Sequence, residues 1–116
     1  MWRIGPTLFL GPGLLESVHQ AVLEKELQKR GLDIKQQLVI PVVYEDIVIR
    51  LGIRADLLVE DRVIVEIKSI AEVSPVQKKQ LLTYLRLSGK RLGMLINFNV
   101  SLIKDGITRV VNGLEE

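Results

Sequence analysis

Apolar positions recur at helical spacing in the first third of the chain, at Leu14, Leu15, Val18, Ala21 and Val22. The stretch closes on Lys29-Arg30-Gly31, a basic last turn before a residue suited to a left-handed cap. The spacing predicts a helix over 14–30, entered from the break at Gly11-Pro12-Gly13. From Gln37 the period drops to two and β-branched residues dominate. Strands are expected at Leu38–Val43, Ile47–Ile49, Ala55–Val59 and Val63–Ile67, separated by Glu45-Asp46 and Glu60-Asp61-Arg62 and read as an antiparallel meander. Pro41 has no N–H for a ladder, so its strand is an edge or is bulged there. Ser74-Pro75-Val76-Gln77 reads as a capping box with Pro at the first helical position, opening a second helix that stops at Gly89. Gly93–Phe98 then reads as a buried strand and Ile107–Val111 as a shorter last one. With no internal repeat and no long linker, residues 1–116 are expected to form one α/β domain.

The length of 116 residues supports one hydrophobic core without covalent staples. The absence of Cys excludes disulfide frameworks, thiolate zinc cages and thiol catalysis, and a single His excludes His-rich zinc sites. Any metal must therefore rest on oxygen ligands. One Trp, two Tyr and two Phe are too few rings for a base-stacking platform. A net charge of +2 permits a polyanionic partner without requiring one. No apolar run approaches the roughly 18 residues that would suggest a membrane span, and Gly5-Pro6 interrupts the opening residues as a secretion signal, so a cytoplasmic location is expected. The mean hydropathy of +0.25 is high for a small soluble domain and raises the expectation of a homodimer that hides an apolar face.

The chemistry concentrates between Arg54 and Lys68. On the strand Val63–Lys68, Glu66 and Lys68 share a face with Ile64, so opposite charges emerge side by side from an apolar strand, and Asp56 interrupts the strand before it in the same way. A three-residue loop at Glu60-Asp61-Arg62 sets Val59 opposite Val63 and hence Asp56 opposite Glu66, whereas a two-residue loop separates the carboxylates. Facing carboxylates repel unless a proton or cation lies between them. Mg²⁺, or Mn²⁺ in its place, suits such a pair because it takes oxygen ligands and few protein carboxylates. Lys68 could then hold a water and counter charge on a phosphate, which is the minimum apparatus for metal-assisted phosphodiester hydrolysis.

The Asp56 and Glu66-Ile67-Lys68 arrangement resembles the D and E-x-K of the PD-(D/E)XK nuclease superfamily, on a matching order of helix, strands, helix and strand. More narrowly, Gly13-Leu14-Leu15-Glu16-Ser17-Val18-His19, Arg54–Glu60, Glu66–Lys68, Gln80–Tyr84 and Leu95–Phe98 resemble the bacterial GxxExxY proteins, a likeness that runs from about Leu8 to Asn112. The resemblance implies a restriction-endonuclease-like core, with a mixed central β-sheet flanked by helices. It also implies a Mg²⁺- or Mn²⁺-dependent nuclease whose substrate is nucleic acid, DNA by preference. Asp56 and Glu66 would ligate the metal, the Ile67 carbonyl would complete the site and Lys68 would orient the attacking water. Glu16 matches the acidic residue that binds the metal through water or a second ion, and Gln80 and Tyr84 match the Q-x-x-x-Y element. Two departures stand out: His19 replaces the final Tyr of GxxExxY, and residues 1–12 look like a shortened form of a longer N-terminal helical region.

Each feature also has a plainer role. Glu66 and Lys68 could be a solvated ion pair, Glu16 could favour its helix dipole, and His19 could be a satisfied structural residue with or without a hydrogen bond near the site. Gln80 and Tyr84 could border the core, and Asn97 and Asn99 read as strand-end and turn residues. Residues 74–91 carry Lys78, Lys79, Arg86, Lys90 and Arg91 and no acid. Lys79, Arg86 and Lys90 fall on one helical stripe, either a solubilising face or a set of phosphate contacts. The sequence-level conclusion is a metal-dependent nuclease; its competitor is a catalytically inactive nucleic-acid-binding or interaction module on the same fold.

Overall fold

The computed structural model describes residues 16–50 and 53–113. Helix α1 (Glu16–Lys29) leads into β1 (Ile34–Val39), β2 (Val42–Tyr44), β3 (Ile47–Ile49), β4 (Arg54–Val59) and β5 (Val63–Lys68). Helix α2 (Pro75–Ser88), β6 (Leu92–Asn97), a 3₁₀ turn at Ile103–Gly106 and β7 (Ile107–Val111) complete it. The main sheet has the order β1-β4-β5-β6-β7, and β2 and β3 pair only with each other. All main-sheet pairings are antiparallel except β5 with β6, where α2 makes the crossover. Leu23 and Leu27 of α1 cover one face with Leu57, Val59, Val65, Ile67, Ile96 and Phe98. Leu81 and Leu85 of α2 cover the other with Ile40, Ala55, Leu58, Ile64 and Leu95. The expected mixed sheet flanked by helices is what the chain forms.

The local signals explain the ends of α2. Ser74 accepts from the Gln77 amide while the Gln77 side chain accepts from the Ser74 amide, Pro75 opens the first turn, and Gly89 closes the last at φ +71°. Gly31 after α1 adopts φ +76° as expected, and the predicted start of α1 at 14–15 lies outside the described residues, as do residues 1–12.

The continuous meander is not what forms. β1 starts at Ile34, through the polar Lys35, Gln36 and Gln37, and pairs directly with β4, while β2 and β3 leave the sheet as a separate hairpin. Pro41 accounts for the break: without an N–H it interrupts the ladder between β1 and β2, and the chain turns out of the sheet there. Polar residues are tolerated in β1 because an edge strand is half solvated.

A second irregularity bears on the site. Ile34 packs with the α1-side core, yet Leu38, an even number of residues on, packs with the α2-side core; Leu57 and Ala55 of β4 divide in the same way. Strict alternation would keep each pair on one face. The reversal falls at Gln37, with φ +48°, and at Asp56, which lies between the paired positions 55 and 57 across from it.

Candidate active site

The β4–β5 register settles the position of the two acids. Val59 pairs with Val63, Leu58 with Ile64 and Leu57 with Val65, so the three-residue loop is realised; the backbone register ends there, and Asp56 and Glu66 meet just beyond it through their side chains. The turn holds because Glu60 and Asp61 adopt left-handed φ of +54° and +56° and the Arg62 amide donates to the Val59 carbonyl at 3.0 Å.

At Asp56 the backbone ladder gives way to side chains. The Asp56 amide donates to Glu66 Oε1 at 3.2 Å, and the Ile67 amide donates to Asp56 Oδ2 at 2.7 Å. Each carboxylate thus caps the backbone of the opposite strand, and this reciprocal exchange holds both acids at the end of the ladder. Lys68 Nζ lies 4.0 Å from Glu66 Oε2. Glu16 Oε1 accepts from the Ser69 amide at 3.4 Å, which brings the first turn of α1 to the end of β5.

The electrostatics follow from burial that Lys68 only partly offsets. Glu66 is pushed up to about 7, first by burial and then by the charge of Asp56, while Lys68 pulls in the opposite direction. Asp56 is also raised, chiefly by burial, against the Ile67 amide and Lys68, which favour its charged form. Glu16 raises both. The Tyr84 hydroxyl is raised as well, by burial and then by Glu66, which places α2 within electrostatic reach of the acids. Gln80 Nε2 donates to Tyr84 Oη at 3.0 Å, so the two residues one turn apart act together at the site's edge.

Asp56, Glu66, Ile67, Lys68 and Glu16 therefore meet, with Tyr84 and, through it, Gln80 within electrostatic reach on α2. The solvated-pair reading of Glu66 does not hold, since its side chain is only 11% exposed. Among the described residues no group of three or more His, Asp or Glu side chains is arranged to hold a metal by itself. The chemistry of the donor set nonetheless fits a hard divalent cation: a buried and a half-buried carboxylate that resist joint ionisation, with a backbone carbonyl between Glu66 and Lys68.

The other expectations divide. His19 does not hydrogen-bond near the site: it is 1% exposed, stacks on Phe98 with centroids 4.5 Å apart, and neither ring nitrogen has a partner among the described residues. Burial lowers its pKa, consistent with a neutral ring serving as core. The basic stripe also changes, because α2 ends at Ser88 and leaves Lys90 and Arg91 beyond it. Lys90 Nζ bonds the Asp61 carbonyl at 2.9 Å and Asp61 Oδ1 at 3.2 Å, fixing the β4–β5 turn at the opposite end of β5 from Lys68. Lys79 and Arg86 are exposed on α2, Arg91 is exposed after it, and Lys78 lines a pocket of about 270 Å³ with Glu72, Asn97, Asp105 and Thr108.

The sequence reading missed Gln20, and it read Asn97 as a strand-end residue, which it is, without its part in holding the site. Gln20, one turn after Glu16, donates to the Asp56 carbonyl at 3.3 Å; its i+4 spacing from Glu16 was the available signal. Asn97 is buried at the end of β6, accepts from the Ile70 amide at 3.1 Å and donates to the Ile70 carbonyl at 2.8 Å, with Asn99 adding a bond to the same carbonyl. Together with the Phe98 amide donating to the Lys68 carbonyl at 2.8 Å, they hold the chain leaving β5.

The chain matches the family model of the PD-(D/E)XK nuclease superfamily over residues 7–110. This chain belongs to that superfamily. The match spans both helices and all the strands except the last residue of β7. No curated protein and no solved structure matches it.

Proposed function

We propose that the protein is a metal-dependent nuclease that hydrolyses nucleic-acid phosphodiester bonds, DNA by preference, within the GxxExxY branch of its superfamily and as a single domain. The reading is carried by the Asp56–Glu66 pair, whose carboxylates are locked to each other's strands beside Lys68. Asp56, Glu66 and the Ile67 carbonyl would hold Mg²⁺ or Mn²⁺, with Glu16 outside them, already engaged by the Ser69 amide. The bound ion would supply positive charge that acidifies water and offsets charge on the phosphate.

The protein's own groups do the rest. Lys68 holds the attacking water by hydrogen bonding and stabilises negative charge on the phosphate as the bond from water oxygen to phosphorus forms and the bond to the leaving sugar oxygen breaks, the water's proton passing to solvent and the leaving oxygen taking one from solvent. Gln80 and Tyr84 border the scissile group from α2 as positioning residues, and Lys78, Lys79, Arg86 and Arg91 supply sequence-independent phosphate contacts. Lys90, tied to Asp61, keeps the β4–β5 turn in register. A nicking assay on DNA and RNA substrates tests the reading: cleavage should require Mg²⁺ or Mn²⁺ and stop on chelation. Salt-dependent nucleic-acid binding that ignores the metal and persists in Glu66→Gln, without cleavage, would instead support a non-catalytic binding module.

A further inference from the structure

The β2–β3 hairpin has no place in the site, yet it is the most apolar exposed feature among the described residues. Tyr44 is 64% exposed, Ile47 60% and Val48 52%, with Val43 and Ile49 exposed beside them. Val43 and Val48 share one face; Val42, Tyr44, Ile47 and Ile49 share the other. Neither edge is paired with the main sheet, and an isolated two-stranded hairpin is marginal in water. Three or more strands with an apolar face are needed for a sheet to hold independently.

The sequence of β3 and its flanks selects the missing strand. Asp46-Ile47-Val48-Ile49-Arg50 is self-complementary when read antiparallel about Val48: Ile47 falls opposite Ile49 of a second copy, and Asp46 opposite its Arg50. The hydrogen-bonding pattern agrees. Tyr44 and Ile47 close the two-residue loop and bond inward, so alternation turns the N–H and C=O of Val48 outward, along with those of positions 46 and 50. The β2 edge is less suited, because Pro41 adjoins it and lacks a donor. The acidic tip Glu45-Asp46 also disfavours a polyanionic occupant.

We infer that the outer edge of β3 pairs with the same edge of a second copy of this chain, joining two hairpins into a four-stranded antiparallel sheet centred on Val48. The contact is isologous, so each copy contributes the same residues and two Asp46–Arg50 pairs close the ends.

Light scattering on the full chain across a concentration series tests this. The wild type should approach twice 13.1 kDa as concentration rises. Asp46→Arg and Arg50→Asp should each weaken association at least about tenfold by setting like charges opposite one another, and the double exchange should restore it. Val48→Pro should leave the hairpin's inward bonds intact and abolish the dimer, with an unchanged circular dichroism spectrum confirming that the variant folds. A wild type that stays monomeric overturns the inference, as does a dimer indifferent to Val48→Pro or a double exchange no better than the single changes.

Discussion

The unusual feature of Glu66 is that burial and Asp56 outweigh the cation paired with it, Lys68. Its folded pKa of about 7 stands above its ordinary 4.5, so the folded protein holds this proton more tightly than the unfolded chain does. The stability cost is therefore absent below about 4.5, grows as pH rises, and is complete above about 7. Metal-free protein should melt at a higher temperature at pH 5 than at pH 8, and Glu66→Gln should flatten that dependence, as thermal denaturation in chelator would show. Added Mg²⁺ should raise the melting temperature mainly at the upper end of that range, because it binds the ionised pair. Asp56→Asn should have a second effect besides weakening the metal: its amide can no longer accept from Ile67 as a charged group, loosening the end of the ladder by about 1–3 kcal/mol in denaturant titration.

At the scale of elements, α2 was legible because local chemistry dictates it, a capping box and a terminal glycine each admitting few conformations, whereas the β4–β5 register stood between a three-residue and a two-residue loop until the structure showed the former. Ser74→Ala should accordingly cost about 1 kcal/mol of stability by denaturant titration. The detachment of β2 and β3 was not legible, since apolar alternation reads the same whether a strand joins the main sheet or leaves it, and only Pro41 hinted at the break. The Asn97 clamp was hidden for a related reason: a polar strand end looks solvated until the loop that covers it is known. Asn97→Ala leaves the Ile70 amide without its acceptor and the Ile70 carbonyl with Asn99 alone, and should cost about 1–3 kcal/mol. If the clamp positions Lys68, kcat should fall more than KM rises, and Asn97→Asp, which retains only the acceptor, should recover part of the loss. The face reversal at Gln37 and Asp56 depends on tertiary packing against two helices and left no mark on the hydrophobic pattern.

At the scale of the whole molecule, Asp56 and Glu66 sit together at the end of the β4–β5 ladder, whereas Lys79 and Arg86 are exposed along α2 and Arg91 just beyond it. Such a distribution suits a partner held through phosphates, with chemistry confined to one point. Neutralising Lys79 or Arg86 should weaken nucleic-acid binding uniformly across sequences. On duplex DNA it should also reduce the slope of log affinity against log salt by about 0.9 for each phosphate that the protein no longer neutralises. Lys90→Ala should leave that slope unchanged, because its ammonium is occupied by Asp61. The absence of Cys and the single stacked His leave oxygen ligands as what this chain offers to a metal, in keeping with the proposed function. The most direct test is the rate of DNA and RNA cleavage in Mg²⁺ or Mn²⁺ by wild type, Glu66→Ala and Lys68→Ala, each first shown to be folded. The account predicts metal-dependent cleavage by the wild type and a loss of at least about 100-fold in both variants; a wild type no more active than either variant would contradict it.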